Sequence, residues 1–322
     1  MSIGYTEGAF DMKTAIVSGS LGSIGAALVT ELVNRRVKVY ALVRAVGDER
    51  IEKRLPKEAN VITCDMQAYG ALPEMIHEPV DAFFHLAWAG TIGPARDDML
   101  LQTQNIRCAV VAAQTAAKLG CKVFVGAGSQ AELGRIEGKV TATAPCFPTN
   151  GYGMAKLCAG QMTRVVCRKL GVRHVWARIL SVYGPNDGPL SVIPILLGKL
   201  VRGEKPVLTA GEQMWDYLYV ADAGDALYRM AEYGRDGAIY PVGSGQVKPL
   251  REYFEIARDA VDPALPLGLG EMPYPPNQVM HLEADISELT RDTGFQPRTR
   301  FEDGIREVVA QYRLRQVNTD EH

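Results

Sequence analysis

Tyr152 and Lys156 stand four residues apart in "NGYGMAK". On a helix this spacing puts both side chains on one face, about one turn apart. An ammonium held there favours the phenolate and draws the phenol pKa from about 10 towards neutrality. A phenol tuned in this way can pass a proton to or from an oxygen as hydride moves at the adjoining carbon. Ser129 ends the segment that opens with the apolar run Val123–Val125, in "VFVGAGSQAELG", at the carboxyl end of a strand pattern. Nearer the N-terminus, "TAIVSGSLGSIGAALVTEL" sets Gly19, Gly22 and Gly25 between a strand pattern and a helix pattern. Glycine permits a tight turn there and lets backbone amides approach a pyrophosphate, which the helix dipole stabilises.

The elements that must carry these residues alternate along the chain. Strands are expected at Thr14–Val17, Val37–Val43, Asn60–Thr63, Ala82–Leu86, Val123–Val125 and His174–Arg178. Helices are expected at Ser23–Asn34, near Glu49–Leu55, near Ala71–His77, and at Asp97–Leu119 and Gly151–Leu170. Apolar strands separated by helices predict an α/β fold with a doubly wound parallel sheet, covered on both faces. After Tyr183 the texture shifts to Gly- and Pro-rich stretches such as "YGPNDGPLSVIP" and "PYPPNQ". Residues 1–182 therefore read as a dinucleotide-binding domain and 183–322 as a smaller substrate-binding lobe. "MWDYLYVADAGDALYRMAEY" returns to a strand and a helix, so part of the later chain, about 216–242, is expected to rejoin the sheet and interleave the lobes.

A chain of 322 residues, 47% hydrophobic, can bury a large core. Its net charge of -2 comes without a basic run, which argues against a nucleic-acid partner. No apolar stretch approaches the roughly 20 residues that cross a bilayer, and the N-terminus lacks a secretory pattern. Six cysteines without a CxxC pair point to reduced thiols in a cytoplasmic protein. The five histidines are scattered and match no metal-ligand spacing.

The second strand should end near an adenosine ribose. Val43 stands where a carboxylate would select NAD, and Arg44 follows it, which favours NADP(H) with NAD as the alternative. Asp65 follows the third strand and could accept from an adenine amine. His85 reads as a buried structural histidine.

With these residues in view, the chain resembles an extended short-chain dehydrogenase/reductase of the NAD-dependent epimerase/dehydratase type. The likeness runs through the glycine turn, Asp65, "HLAW", Asn105, Ser129, Tyr152 and Lys156. It continues in "ARILSVYGPND", "WDYLYVADAGDAL" and "LEADISELTRDTGFQPRTRFEDGIREVV". The resemblance implies catalytic roles for Ser129, Tyr152 and Lys156, with Lys156 also holding the nicotinamide ribose. It implies cofactor contacts from Gly19, Gly22, Ser23, Ile24, Gly25, Arg44, Asp65, Met66, Leu86 and Ala87. Ser129, Gln130, Asn105 and Trp215 are the substrate-side candidates, Asn105 being equally readable as structural. Members that eliminate water carry an Asp-Glu pair directly after the matching Ser or Thr. Gln130 and Ala131 stand there instead, and Glu132 should point elsewhere, which disfavours a dehydratase. Leu133 replaces the Tyr usual before the glycine.

Arginines that contact a nucleotide diphosphate in the family are absent here: Trp215 and "PYPPN" occupy the two places. Arg178, Arg202 and Lys205 are the remaining phosphate candidates. The expected activity is reduction of a keto group on a sugar, a nucleotide-linked one being favoured, with Tyr152 as proton donor. The alternatives are a 4-epimerase that retains NAD and a dinucleotide-binding protein without catalysis. The resemblance further implies a homodimer built on the helices 97–119 and 151–170.

Overall fold

The computed structural model describes residues 11–320 apart from 137 and 277. Seven strands form one sheet: β1 (Thr14–Ser18), β2 (Lys38–Val43), β3 (Asn60–Thr63), β4 (Ala82–His85), β5 (Val123–Ser129), β6 (Arg173–Ile179) and β7 (Ala238–Val242). Their order is β3-β2-β1-β4-β5-β6-β7, every pair parallel. The chain winds outward in both directions from β1, so a crevice opens at the carboxyl ends of β1 and β4.

Side chains alternate across this sheet as the strand period requires. Ile16, Phe83 and Phe124 form a row on one face, packed with Ala112, Ala113 and Ala116 of helix Met99–Lys118. Val17, Phe84 and Val125 form the opposite row, with Leu28 and Leu32 of helix Ser23–Asn34 and Leu227 and Met230 of helix Val220–Tyr233. Burial of each such leucine or phenylalanine contributes about 1.5–3 kcal/mol.

The first and last residues of the long helices follow from capping. The Asp98 carboxylate accepts the Leu101 N–H at 3.1 Å, so that helix starts at Met99 rather than at 97. Asn150 accepts the Gly153 N–H at 2.9 Å and Gly171, at φ 72, ends helix Gly151–Leu170. Strand β5 continues four residues past the expected Val125. Gly126 and Gly128 lie within it because the Trp176 indole occupies the space where their Cβ atoms would stand, 2.2 Å from each.

The later chain builds a second core from Tyr183, Leu196, Leu197, Tyr253, Phe254 and Phe301. Beside it lies a mixed four-stranded sheet ordered Lys248–Pro249, Met214–Trp215, His281–Ala284, Gly138–Val140. Gly138–Val140 comes from the earlier half of the chain, whereas β7 comes from the later half. The buried Asp216 carboxylate ties this region together, accepting from the Ser244 N–H and hydroxyl and from the Gly245 and Ala284 N–H groups at 2.6–3.0 Å.

Candidate functional site

The turn after β1 is wound so tightly that Gly19 and Gly25 admit no side chain. Gly19 has φ 71, and a Cβ there would lie 2.7 Å from the Ala87 nitrogen. A Cβ on Gly25 would lie 2.1 Å from the Gly19 oxygen, and the Gly22 N–H closes the turn on that oxygen at 3.0 Å. Helix Ser23–Asn34 starts here with no side-chain cap on its free amides. Ser23 instead donates its hydroxyl to the Pro185 carbonyl.

A cavity of about 520 Å³ extends from this turn along Val43, Arg44, Met66, Leu86 and Ala87. A second of about 560 Å³ shares Gly19, Gly22, Arg50, Leu86 and Trp88 with it, then continues past Ile24 and Gly25 to Ser129, Tyr152 and Lys156. The two form one long cleft, sized and polarised for a dinucleotide. Arg44 is exposed at the end of β2. Arg50, on the same wall, is held by Asp48 at 2.9 Å. Asp65 is exposed beside the cleft and accepts the Gln67 N–H at 3.0 Å. His85 is buried with Nδ1 3.2 Å from the Ser18 hydroxyl, and burial pushes it down to about 3, so it is neutral.

At the other end Ser129, Tyr152 and Lys156 meet. The Ser129 hydroxyl accepts the Ala131 N–H at 3.2 Å. Tyr152 presents its ring edge-on to Trp88, with centroids 6.3 Å apart, and the Arg96 guanidinium lies 4.5 Å from the centroid of the Tyr152 ring. Lys156 donates to the Ala127 carbonyl at 2.7 Å and lies 3.8 Å above the Trp88 ring. Its Nζ is 5.8 Å from the Tyr152 centroid.

These contacts correct the expected electrostatics. Burial pushes the Tyr152 phenol up, and the groups that draw it back are the Ser129 hydroxyl and Arg96. Burial also lowers Lys156, to about 7, so its charge is itself costly in this setting. The phenol is protonated at neutral pH in this state.

The substrate-side candidates divide. A cavity of about 210 Å³ beyond Ser129 is lined by Gln130, Trp215 and Arg96, among others. The Gln130 Oε1 is buried there without a hydrogen-bond partner. Trp215 lines the wall with its Nε1 donated to the Ser181 hydroxyl at 2.8 Å. Asn105 is instead spent on the backbone: it donates to the Ala89 carbonyl at 2.9 Å and accepts the Ala89 N–H at 3.1 Å. The phosphate candidates are engaged elsewhere. Arg178 is buried against Glu132 at 3.2 Å, Arg202 pairs with Glu204, and Lys205 pairs with Glu271. Trp88 and Arg96 escaped the reading of the sequence. Trp88 stands in the quoted "HLAW", but nothing local signals that it lies under Lys156.

A model described as the NAD dependent epimerase/dehydratase family matches residues 15–243. The chain belongs to this family. A dTDP-glucose 4,6-dehydratase of Neisseria meningitidis serogroup B is 27% identical over 192 residues, 56% of this chain and 54% of that one. The chain thus spans about half the length of the first curated relatives it matches. A dTDP-4-dehydro-6-deoxyglucose reductase of Escherichia coli is 23% identical and aligns over 93% of this chain and 98% of its own. Among solved structures, a UDP-N-acetylglucosamine 4-epimerase from Methanobrevibacter ruminantium M1 has a TM-score of 0.84 at 23% identity, covering 95% and 99%. A Thermus thermophilus UDP-glucose 4-epimerase complex with NAD has a TM-score of 0.79 at 21% identity, covering 93% and 99%. These likenesses bear out the doubly wound fold.

Within the family frame, the two positions after Ser129 carry no group that exchanges a proton. Glu132 faces the core, where its carboxylate accepts from the Ser129 N–H at 2.8 Å, the Trp176 indole at 2.9 Å and Arg178. No described helix is long and apolar enough to cross a membrane.

Proposed function

We propose that this chain reduces the keto group of a sugar, with Tyr152 as proton donor and NADP(H) in the long cleft. The observation that carries the reading is the junction of Ser129, Tyr152 and Lys156 on the wall of the cleft that begins at the glycine turn. A nicotinamide dinucleotide bound there supplies the hydride. The Ser129 hydroxyl donates to the carbonyl oxygen, which orients it and offsets the charge that develops on it. Tyr152 then passes its proton to the same oxygen. A phenol raised by burial is already in the donor form, as reduction requires. Lys156, kept near neutrality by burial, holds the ribose and resupplies the phenol.

Arg44 and Arg50 on the wall past β2, with Val43 in place of an acid, support NADP(H) over NAD. Gly19, Gly22, Ser23, Ile24, Gly25, Met66, Leu86 and Ala87 complete the cofactor contacts, and Asp65 faces the adenine end. The same proposal divides the chain into a dinucleotide-binding part, 1–182, and a substrate lobe, 183–322, with β7 returned to the first. A homodimer in the cytoplasm is the expected state of the enzyme.

The test is to denature the purified protein and identify any released nucleotide, then follow NADPH oxidation with keto sugars, free and nucleotide-linked. An empty site that binds NADPH, with turnover lost at least about a hundredfold in Tyr152→Phe, supports reduction. Tightly retained NAD moves the reading to a 4-epimerase. Turnover unaffected by Tyr152→Phe overturns the assignment.

A further inference from the structure

Arg96, Asp97 and Asp98 are consecutive, yet their charges do not neutralise one another. Asp97 turns to the start of helix Gly151–Leu170 and accepts the Gly151 N–H at 2.8 Å. Asp98 caps helix Met99–Lys118 through the Leu101 N–H at 3.1 Å. The Arg96 guanidinium lies on the Tyr152 ring and donates to the Thr91 carbonyl at 3.3 Å. Among the described residues no carboxylate pairs with it. Arg96 is half-buried and, among the described residues, is the charged side chain on the wall of the cavity beyond Ser129. The other polar side chains there are Ser129, Gln130, Thr149 and Asn150, with the Trp215 indole beside them.

A guanidinium with no carboxylate partner among the described residues keeps donors available to an anion in the cavity. Its planar fork of donors matches a carboxylate. Resting on the proposed reduction, we infer that the substrate carries a carboxylate close to the reacting carbonyl and that Arg96 binds it. Arg96 touches the ring of the residue that meets the reacting oxygen, so the anion lies at the reacting end of the sugar. A diphosphate on the anomeric carbon would lie across the ring, away from this guanidinium. The buried Gln130 Oε1 accepts a hydroxyl of the same sugar.

The experiment titrates NADP⁺-loaded protein with glucuronic acid and glucose, each free and as its UDP conjugate, in wild type, Arg96→Gln and Arg96→Lys. The expected result is at least about tenfold tighter binding of the acid over the neutral sugar in one or both forms. Arg96→Gln erases that preference and Arg96→Lys keeps part of it, with the Kd for NADP⁺ unchanged in both. Equal binding of acid and neutral sugar, absence of acid binding, or a preference that survives in Arg96→Gln overturns the inference. Loss of both sugars alike in Arg96→Gln overturns it too, because Arg96 then serves only the phenol. Failure of the reduction reading is seen separately, as NAD tightly retained by the purified protein or as turnover unaffected by Tyr152→Phe.

Discussion

His85 and His174 are neutral because the sheet buries them, and that has a cost in acid. Burial holds His85 down to about 3 and His174 to about 4, against an ordinary value of 6.5. Between pH 6.5 and 4 the unfolded chain therefore binds protons that the folded chain refuses. Stability falls as pH drops through that window, by up to about 1.4 kcal/mol per pH unit for each histidine. Urea unfolding at pH 7 and pH 5 should show the midpoint fall. In His174→Phe, which keeps the stack on Phe124 and Trp176, the fall should shrink by about half. A fall of the same size in the variant would assign the acid sensitivity to other groups. At this scale the sequence was most informative where chemistry is local. Ser129, Tyr152, Lys156 and the glycine turn could be singled out together from residue type and spacing, and the fold sets residues of all of them along one cavity. The Glu132–Arg178 pair was hidden, since it depends on Gly128 and Arg178 standing side by side in the register of β5 and β6. Arg96 was hidden for a related reason: its two acidic neighbours suggest a solvated cluster until their capping bonds are seen.

Strand β5 demonstrates why an element can exceed its apolar pattern. "GAGS" has the composition of a turn, yet it is paired to β6 from Gly126↔Trp176 through Ser129↔Ile179. The glycines are there for the indole, which is 2% exposed and also lies 2.8 Å from where a Cβ on Gly160 would stand. No local rule reveals that, because Trp176 and Gly160 come from other elements. Gly126→Ala would place a methyl 2.2 Å from the Trp176 ring. Either the indole or the strand must move, and overpacking of this kind costs about 1–3 kcal/mol. Since β5 ends in Ser129, the same displacement reaches the active end. The variant should lower both the urea midpoint and turnover, with NADP⁺ binding at the glycine turn little changed. Wild-type stability in Gly126→Ala would mean that the strand is not packed on Trp176. The long helices were legible to within two residues because Asn150 and Gly171 are local signals. The two-residue strands of the smaller lobe carry no period from which they could be read.

For the molecule as a whole, the interleaving of the two lobes was foreseeable in part. A return of the later chain to the large sheet was expected over about 216–242, but the strand-like segment that suggested it, Tyr217–Tyr219, pairs with Ser181–Tyr183 in a sheet of two, and it is Ala238–Val242 that joins β6. The opposite exchange, through Gly138–Val140, rests on three residues with no pattern. What the fold leaves outside is a stripe on helix Gly151–Leu170. Met154, Cys158, Met162 and Val165 recur at helical spacing, and the two methionines and the valine are 49%, 45% and 38% exposed. Cys158 and Met162 touch along it, with sulfurs 3.5 Å apart. The neighbouring helix Met99–Lys118 adds Leu100, 84% exposed, near its start. A contiguous apolar stripe of this kind fits a second copy of the chain packed helix on helix, since a symmetric pair buries the same patch twice. A carboxylate at its centre would face its own symmetry mate in a desolvated seam. If the proposed homodimer is built on this stripe, Met162→Glu should yield a monomer in light scattering at micromolar concentration where the wild type is dimeric, while the urea midpoint extrapolated to low protein concentration stays near wild type. A wild type that is monomeric at all accessible concentrations, or a Met162→Glu variant that remains dimeric, would remove this stripe from the assembly.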